Sequence, residues 1–354
     1  MRMTISLKIL YLPSIIDNGI EDIVYAGLNK LDNVEIYEYP FKPLYHIDKT
    51  EQRHELFPVS PWFKQNGRDE NCIYRSFDDI EFDKFDIIIV GSLNRDLLQY
   101  IPRIMKLAPD RTVYLDGGDD PFIRLILKDA ALYFKREKLS SFNISTMSHY
   151  KFAWYFKKLM VDAINYGHHT FPLPPLRSLM SLTLSLNLTV IAHQFSAREE
   201  KDIDVSFILR TRSSPLRQKY ERVVSNLAKE KNLNVYVKTD GLDWKSYTDI
   251  ILRSKISVSL PGEGYDTYRY WEIPYYGTCM ISPYLPLAID NNFEDGFSAL
   301  FFKNEDEFST KVVKTLKSGE YDQIGKNGKL WFERHHSDVK RAEKVIYHTR
   351  DLLL

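Results

Sequence analysis

The chain has 354 residues, of which 44% are hydrophobic, and its 48 Lys and Arg residues balance its 48 Asp and Glu residues. This length exceeds what one hydrophobic core usually organises, so the sequence predicts two globular domains. Zero net charge argues against a protein that coats nucleic acid, although it leaves room for a local basic groove. Two cysteines are too few for a disulfide framework or an all-cysteine zinc site, and they favour a reducing, cytoplasmic location.

No targeting segment or membrane span is predicted. The opening run MRMTISLKILYLPS is broken by Lys8 and lacks a small-residue cleavage site, which indicates a first strand and not a signal peptide. The most apolar stretch, 176–193, contains Arg, Asn and several Ser and Thr residues. It is therefore predicted to be a buried helix or strand pair and not an integral membrane segment.

Strand-like and helix-like segments alternate in the first half of the chain. Continuous apolar runs that end at glycine, such as FDIIIVGS, are typical of strands buried on both faces. The predicted strands are 8–13, 34–40, 85–92 and 112–120, and the predicted helices are 19–31 and 97–108. This βαβα order predicts a parallel sheet with helices on both faces, in a domain that spans residues 1–185.

A second alternating series follows a proline-rich segment, 171–176, and a transition between about 172 and 200. Its predicted strands are 204–210, 234–241, 255–262, 279–283 and 296–302, and its predicted helices are 214–232, 244–254, 266–277, 304–319 and most of 320–354. The sequence therefore predicts an α/β fold with a second parallel-sheet domain over 186–335. A final helix over 336–354 is expected to be able to return to the first domain.

One strand-to-helix turn, SLPGEGYDTYRYWEIPYYGTC (259–279), carries an unusual set of polar residues. Ligands of parallel sheets bind past the carboxyl ends of the strands, where helix amino termini present free N–H groups. Gly262 and Gly264 would let the backbone approach an oxygen-rich ligand, and Asp266 and Thr267 are natural helix caps. An alternative interpretation is an ordinary turn followed by a capped helix with solvated charges.

Two charged residues further along this helix extend the same interpretation. Arg269 could bind a phosphate through two parallel hydrogen bonds. Glu272 could accept hydrogen bonds from both hydroxyls of a ribose.

Residues from about 200 to 340 resemble the donor-binding domain of GT-B glycosyltransferases, and most closely the CgeB-like and exostosin-like group. The segments that carry the resemblance are LPGEGYDTYRYWEIPYYGTCMIS, FEDGFSALFF, NEDEF, GKNGKLWFERHHS and KDIDVSFILRTRSSPLRQKYERVV. The resemblance implies two Rossmann-like, doubly wound domains that face each other across a cleft. It also implies a nucleoside-diphosphate sugar, a UDP- or GDP-sugar, as the donor substrate, with no bound cofactor.

The resemblance assigns roles residue by residue. Glu272 matches the ribose-binding acid of the family, Arg269 and Thr267 would lie near the diphosphate, and Arg210 and Arg212 match a position that reaches phosphate. The full predicted donor site consists of Arg210, Arg212, Gly262, Glu263, Gly264, Asp266, Thr267, Arg269 and Glu272.

One departure from the family pattern affects the predicted stereochemistry. Many retaining members carry two glutamates eight positions apart, whereas Glu263 and Glu272 are 272 − 263 = 9 positions apart and Gly264 occupies the expected site. Retention or inversion therefore stays open.

The first half resembles the acceptor-side domain of the same group more weakly, through YLDGGDDPF and LYFKREKL. Asp116, Asp119 and Asp120 are the candidate catalytic residues, and three interpretations are open for them. They could supply a general base for an acceptor hydroxyl, ligate a metal as a DxD-like site, or cap a turn after a buried strand. GT-B enzymes usually work without a bound metal, so no metal site is predicted.

Other polar segments have less specific interpretations. Histidines at 149, 168–169, 193 and 335–336 could serve as bases near neutral pH, but exposed or hinge positions are the more ordinary roles. The basic and aromatic stretch 151–159 could pack on its own domain, touch a membrane surface or touch an acceptor glycan.

Taken as a resemblance, these features predict a metal-independent, cytoplasmic glycosyltransferase that moves a sugar to an acceptor hydroxyl. The acceptor is left open between a glycan, a protein, a lipid-linked molecule and a modified base, as is the oligomeric state. The alternatives are a nucleotide-sugar epimerase or hydrolase on the same fold, and a binding module without catalysis.

Overall fold

The computed structural model describes residues 6–14, 19–42, 45, 74, 76–91, 95–124, 129–140, 172–173, 183–192, 195, 200–212 and 214–352. Four histidines (149, 168, 169 and 193), the stretch 151–159, most of the proline-rich segment and Cys72 lie outside these residues.

Helices and strands alternate along the described residues. The helices are α1 (Gly19–Leu28), α2 (Arg95–Leu98), α3 (Ile101–Leu107), α4 (Pro215–Lys231), α5 (Trp244–Arg253), α6 (Tyr268–Tyr275), α7 (Glu305–Ser318), α8 (Tyr321–His335) and α9 (Asp338–Thr349). The strands are β1 (Leu7–Leu12), β2 (Val34–Glu38), β3 (Ile87–Val90), β4 (Thr112–Asp116), β5 (Ile123–Arg124), β6 (Leu132–Lys135), β7 (Pro172–Leu173), β8 (Leu184–Ser185), β9 (Ile203–Ile208), β10 (Val235–Lys238), β11 (Ser254–Val258), β12 (Cys279–Pro283) and β13 (Leu300–Phe302).

The chain divides into two compact units. The first comprises 1–191, 287–289 and 338–354, and the second comprises 192–286 and 290–337. In the first unit a parallel sheet has the strand order β2-β1-β3-β4-β6-β8. All four residues of β3 are fully buried, as expected for a central strand covered on both faces.

Helix α9 belongs to the first unit and packs against α1. A Cβ added to Gly27 would lie 2.2 Å from the Asp338 carbonyl oxygen, so the two helices approach closely at this glycine. The Lys30 Nζ lies 2.5 Å from Asp338 Oδ2, and the Arg341 Nε donates to the Asn187 carbonyl at 2.9 Å. The end of the chain therefore completes the core around its beginning.

A buried charged cluster lies at the amino-terminal end of α1. The Lys42 Nζ lies 3.0 Å from Glu21 Oε1 and 2.6 Å from Asp22 Oδ1, and the Tyr45 hydroxyl donates to Asp22 at 2.8 Å. Burial raises the pKa of Glu21 to about 8, although the Lys42 charge opposes this effect. Burial therefore favours the protonated form of Glu21, and the neighbouring Lys42 favours the charged form.

The second unit contains a parallel sheet with the order β10-β9-β11-β12-β13. Its helices begin where the sequence places caps: Ser214 accepts from the Arg217 N–H at 3.4 Å, and Asn304 accepts from the Glu307 N–H at 2.9 Å. Helix α6 ends just before Gly277, whose φ of +74° suits a residue without a side chain.

The predicted α/β fold with two Rossmann-like parallel-sheet units is confirmed, and most predicted elements occur within a few residues of their expected positions. The helix predicted over 97–108, with a kink or a start near Pro102, occurs as α2 and α3, and α3 begins at Ile101 with Pro102 in its first turn. Strand β6 was not predicted, and β8 lies within the stretch 176–193 that was predicted to be a buried helix or strand pair. No helix in the described residues is long and apolar enough to cross a membrane.

Candidate functional site

The strongest candidate site lies at one edge of the second sheet. Strands β9, β10 and β11 are parallel, so their carboxyl ends meet at the same edge. The segments that follow them are 209–214, 239–243 and 259–267, and these contain most of the predicted donor-site residues. This is the edge where parallel α/β sheets bind ligands.

Arg217 ties two of these segments together. Its Nε donates to the Pro261 carbonyl at 3.0 Å, its Nη2 to the Leu260 carbonyl at 3.1 Å, and its Nη1 to the Arg210 carbonyl at 3.2 Å. A Cβ on Gly262 would lie 2.8 Å from the Arg217 Nη2. Gly262 therefore makes room for this guanidinium, whereas the sequence suggested that it makes room for a ligand.

The turn before α6 is held by internal contacts. The Gly262 N–H donates to the Gly264 carbonyl at 3.0 Å, and Glu263 between them is exposed. Asp266 is buried, and its Oδ1 accepts from the Trp271 indole N–H at 2.8 Å. Asp266 thus anchors the turn to the helix core through a side chain that the sequence suggested as a cap.

Thr267 occupies the N-cap position of α6 with an extended backbone, but its side chain makes no capping hydrogen bond. The first N–H groups of a helix have no partner within the helix, and its amino terminus carries a partial positive charge. The start of α6 therefore has the electrostatic character that favours an anion.

Three side chains from α5 and α6 form a buried group. Glu272 is 8% exposed, and its Oε2 accepts a hydrogen bond from the Tyr247 hydroxyl at 2.6 Å. The Arg269 Cζ lies 5.4 Å from the centre of the Tyr247 ring, and the buried Arg269 Nε has no hydrogen-bond partner among the described residues. Burial raises the pKa of Glu272, while the charge of Arg269 and the Tyr247 hydrogen bond oppose the rise.

The other two arginines of the predicted donor site, Arg210 and Arg212, have exposed side chains. Both Arg210 and Arg212 are exposed, and a Cβ on Gly241 would lie 3.5 Å from the Arg210 Nη2, which places this guanidinium beside the segment after β10. The Arg212 Nη2 lies 3.8 Å from Asp240 Oδ1, with 92% of the Arg212 side chain exposed. Such exposed pairs contribute little to stability, so both cations stay accessible to a ligand.

The structure therefore brings Arg269 and Glu272 into direct proximity and leaves Arg210 and Arg212 near the segment after β10. Sequence reasoning missed Tyr247 and Arg217. Tyr247 shares the apolar face of α5 with Ile250 and Ile251, so periodicity places it in the core. Nothing in the sequence indicates which carboxylate its hydroxyl contacts.

In the first unit, both carboxylate oxygens of Asp116 have hydrogen-bond or ion-pair partners. Its Oδ2 accepts from the Tyr133 hydroxyl at 2.5 Å and lies 2.9 Å from the Lys135 Nζ, while its Oδ1 accepts from the Gly118 N–H at 3.0 Å. The Asp116 charge, together with burial, raises the pKa of Tyr133. Asp116 fixes the turn after β4 and joins it to β6.

Asp120 is also buried and doubly bonded, while Asp119 is more open. Asp120 accepts from the Phe122 N–H at 3.0 Å and from Arg124 Nη2 at 2.9 Å. The Asp119 side chain is 42% exposed and forms an ion pair with Arg136. Of the three predicted aspartates, Asp119 is the one whose carboxylate meets solvent.

Neither the aspartates nor the described histidines form a metal centre. The described residues contain no group of three or more His, Cys, Asp or Glu side chains that could hold a metal ion. His336 is buried between the rings of Trp271 and Phe293, and its Nε2 lies 2.8 Å from the Asn291 carbonyl oxygen. This environment indicates a structural role for His336.

Comparison with known proteins finds one family model, which matches most of the second unit and part of α9. Residues 215–346 match the model of the family described as "Glycosyl transferase-like". No curated protein matches the chain.

Three solved structures illustrate the similarity in fold. The first is a Staphylococcus aureus TarM mutant in complex with UDP, with a TM-score of 0.43 and 10% identity over 72% of this chain and 58% of that chain. The second is the Anabaena protein Alr3699/HepE in complex with UDP, with a TM-score of 0.46 and 8% identity over 98% of this chain and 100% of that chain. The third is the pneumococcal O-GlcNAc transferase GtfA in complex with UDP and GlcNAc, with a TM-score of 0.44 and 8% identity over 73% of this chain and 60% of that chain. The chain thus spans less than two thirds of the length of TarM and GtfA.

The family match covers Arg269, Glu272, Tyr247 and Arg217. It does not distinguish the CgeB-like group from the exostosin-like group. Residues 215–346 thus match a glycosyl transferase-like family model within a chain of two Rossmann-like units.

Proposed function

We propose that the protein is a glycosyltransferase that moves a sugar from a nucleoside-diphosphate sugar to an acceptor hydroxyl, and that the second unit binds the donor. The observation that carries this proposal is that Arg269 and Glu272 both contact Tyr247 at the ligand-binding edge of a sheet, within the segment that matches a glycosyl transferase-like family model. Among the described residues, the buried Arg269 Nε has no hydrogen-bond partner. Buried polar groups are normally hydrogen-bonded, so an unsatisfied one supports a missing ligand.

Each charged group has a chemical role in donor binding. The Glu272 carboxylate accepts hydrogen bonds from a ribose, and the Arg269 guanidinium together with the start of α6 binds the diphosphate. Arg210 and Arg212 add positive charge where the leaving diphosphate develops its own negative charge. With these cations in place the diphosphate needs no metal ion, which supports the expected metal independence.

The remaining predicted donor-site residues shape the turn. Gly262 and Gly264 close it, Asp266 anchors it to Trp271, and Thr267 begins α6. Glu263 is exposed on the same turn and is proposed to face the donor sugar.

On the acceptor side we propose Asp119 as the general base. A general base must reach the proton that it removes, and Asp119 is more exposed than Asp116 and Asp120. Asp116 and Asp120 then support the turn that presents Asp119. We also propose a cytoplasmic location, where nucleotide sugars and reduced cysteines coexist.

The test is nucleotide binding, measured as thermal stabilisation by UDP, GDP, ADP, CDP and dTDP with and without Mg²⁺ or Mn²⁺. A ligand at about a hundred times its dissociation constant adds roughly 2.7 kcal/mol to the free energy of unfolding. We expect one nucleotide to raise the unfolding temperature by several degrees without metal, and Glu272→Ala and Arg269→Ala to abolish the shift. Absence of a shift with every nucleotide would overturn the proposal.

A second assay separates transfer from the two alternative functions. The donor identified by the panel is incubated with acceptor mixtures and its sugar is followed by mass spectrometry. Sugar appearing on an acceptor supports transfer, whereas conversion of the donor without an acceptor indicates an epimerase or hydrolase. A donor that binds and stays intact throughout indicates a binding module.

A further inference from the structure

We infer that Tyr247 is a positioning residue that holds the Glu272 carboxylate so that Oε1 alone is presented to a hydroxyl of the bound nucleotide's ribose. The inference rests on the proposed donor site and adds a selectivity for ribonucleotides over nucleotides that lack sugar hydroxyls. Its basis is the contact between two buried side chains on neighbouring helices, α5 and α6.

The contact is short and lies in a region with little water. Tyr247 and Glu272 are both buried, and 2.6 Å is a typical distance for a hydroxyl that donates to an ionised carboxylate. Within the described part of the chain, Tyr247 is the hydrogen-bond donor to this carboxylate, and it occupies Oε2. A carboxylate fixed at one oxygen cannot rotate freely, so its second oxygen has a defined direction.

The Tyr247 ring has a separate role. The Arg269 guanidinium lies over it at 5.4 Å, so the ring supports the cation while the hydroxyl fixes the carboxylate. A change that removes the hydroxyl and keeps the ring therefore separates the two roles. Tyr247→Phe is that change.

The charge of Glu272 must also be maintained for ribose recognition, because a protonated carboxyl loses acceptor capacity. The titratable groups that face it are Tyr247, Arg269 and Tyr276. Burial raises the pKa of Glu272, and donation from Tyr247 opposes the rise. Removing the hydroxyl should therefore shift the pKa of Glu272 further upward.

The experiment measures the dissociation constant of the nucleoside diphosphate found by the panel, by calorimetry from pH 5 to pH 8. The proteins are the wild type, Tyr247→Phe and the control Tyr270→Phe. Tyr270 is buried on α6 and donates to the exposed Asn292 at its Oδ1, so its variant loses a hydrogen bond of the same 2.6 Å length away from Glu272. Thermal unfolding of each variant checks that it is folded.

Tyr247→Phe is expected to weaken binding about tenfold, which is the effect of one hydrogen bond to a charged group. The acid limb, the pH range in which affinity falls as Glu272 becomes protonated, should move to higher pH. It should also reduce the preference for the ribonucleotide over its 2′,3′-dideoxy analogue. Tyr270→Phe should leave all three quantities unchanged. A merely structural role for Tyr247 would change neither the acid limb nor the dideoxy preference.

If Tyr247→Phe keeps the wild-type affinity, the wild-type acid limb and the wild-type preference for the ribonucleotide over its dideoxy analogue, the inference is overturned and the donor site stays intact. If Glu272→Ala also binds normally, the donor site itself is misplaced and both proposals fail. Should Tyr247→Phe not fold, Glu272→Asp provides the second test, because it keeps the charge but withdraws the carboxylate from the Tyr247 hydroxyl. We expect its binding to fall about tenfold or more, and wild-type affinity would overturn the inference.

Discussion

Substitution of Gly27 by alanine tests the packing of α9 on α1. A Cβ at this position would lie 2.2 Å from the Asp338 carbonyl oxygen, 2.7 Å from the Asp338 carbonyl carbon and 2.9 Å from the Ala342 Cβ. Two of these three atoms belong to backbone, so a side-chain rotation cannot relieve the contact. An ordinary contact is about 3.4 Å or more, so α9 would have to move away from α1 by about 1 Å.

Two effects of opposite sign decide the result. Alanine in a helix interior is favoured over glycine by about 1 kcal/mol. Overpacking a close contact typically costs 1–3 kcal/mol, and here the displacement also strains the 2.5 Å ion pair between Lys30 and Asp338. We expect the clash to win and the free energy of unfolding to fall by about 1–3 kcal/mol.

For a unit of this size that loss lowers the unfolding temperature by roughly 2–12 °C, which calorimetry or circular dichroism detects. Gly241→Ala is the matched control, because its nearest neighbour would lie 3.5 Å from the new Cβ, an ordinary contact. It should leave the unfolding temperature nearly unchanged. If Gly27→Ala raises the unfolding temperature, as alanine does in an open helix, the close packing of α1 and α9 is wrong.

Three further predictions concern charges in the two units. Burial raises the pKa of Glu21 in the folded protein from 4.5 to about 8, so the stability that its protonation provides is fully present below pH 4.5 and is lost as the pH rises to 8. Glu21→Gln should therefore flatten the fall in unfolding temperature between pH 5 and pH 8, and an unchanged slope would contradict this assignment. Arg217→Lys cannot reproduce three hydrogen bonds to carbonyls, so it should lower both the unfolding temperature and nucleotide affinity. Wild-type values for both would contradict the role of Arg217 in joining the segments that follow β9 and β11. Asp119→Asn should reduce sugar transfer without changing the unfolding temperature. Asp116→Asn should lower that temperature because the buried Lys135 loses the nearer of its two carboxylate partners, Asp116 and Asp120; the reverse pattern would exchange the roles of Asp116 and Asp119.

The sequence predicts elements well where one local rule decides them. Strand β3 is an uninterrupted apolar run, and helix α7 begins at Asn304 and ends at Gly319, whose φ is +77°. Strand β6 was missed because LYFK ends in a lysine, which ordinarily marks a surface. The Lys135 charge is tolerated in the interior because Asp116 lies 2.9 Å away, and that pairing depends on the fold.

The candidate site shows the same limit. The family pattern selects Arg269 and Glu272 from the sequence, and the fold places them together. The function of Gly262, which accommodates Arg217, and that of Asp266, which accepts from Trp271, depend on partners that only the folded chain identifies. A glycine or an aspartate at a turn therefore indicates a steric or hydrogen-bonding constraint at that position, but the sequence does not identify the partner atom.

The position of α9 has a consequence for folding. Lys30 and Asp338 are 308 residues apart in sequence, yet α9 covers the face of α1 that contains Gly27. Contacts between segments so far apart form slowly, because the entropy of closing the intervening loop is lost before the contact stabilises the chain. The first unit therefore depends for its completion on a helix that follows the whole of the second unit in sequence.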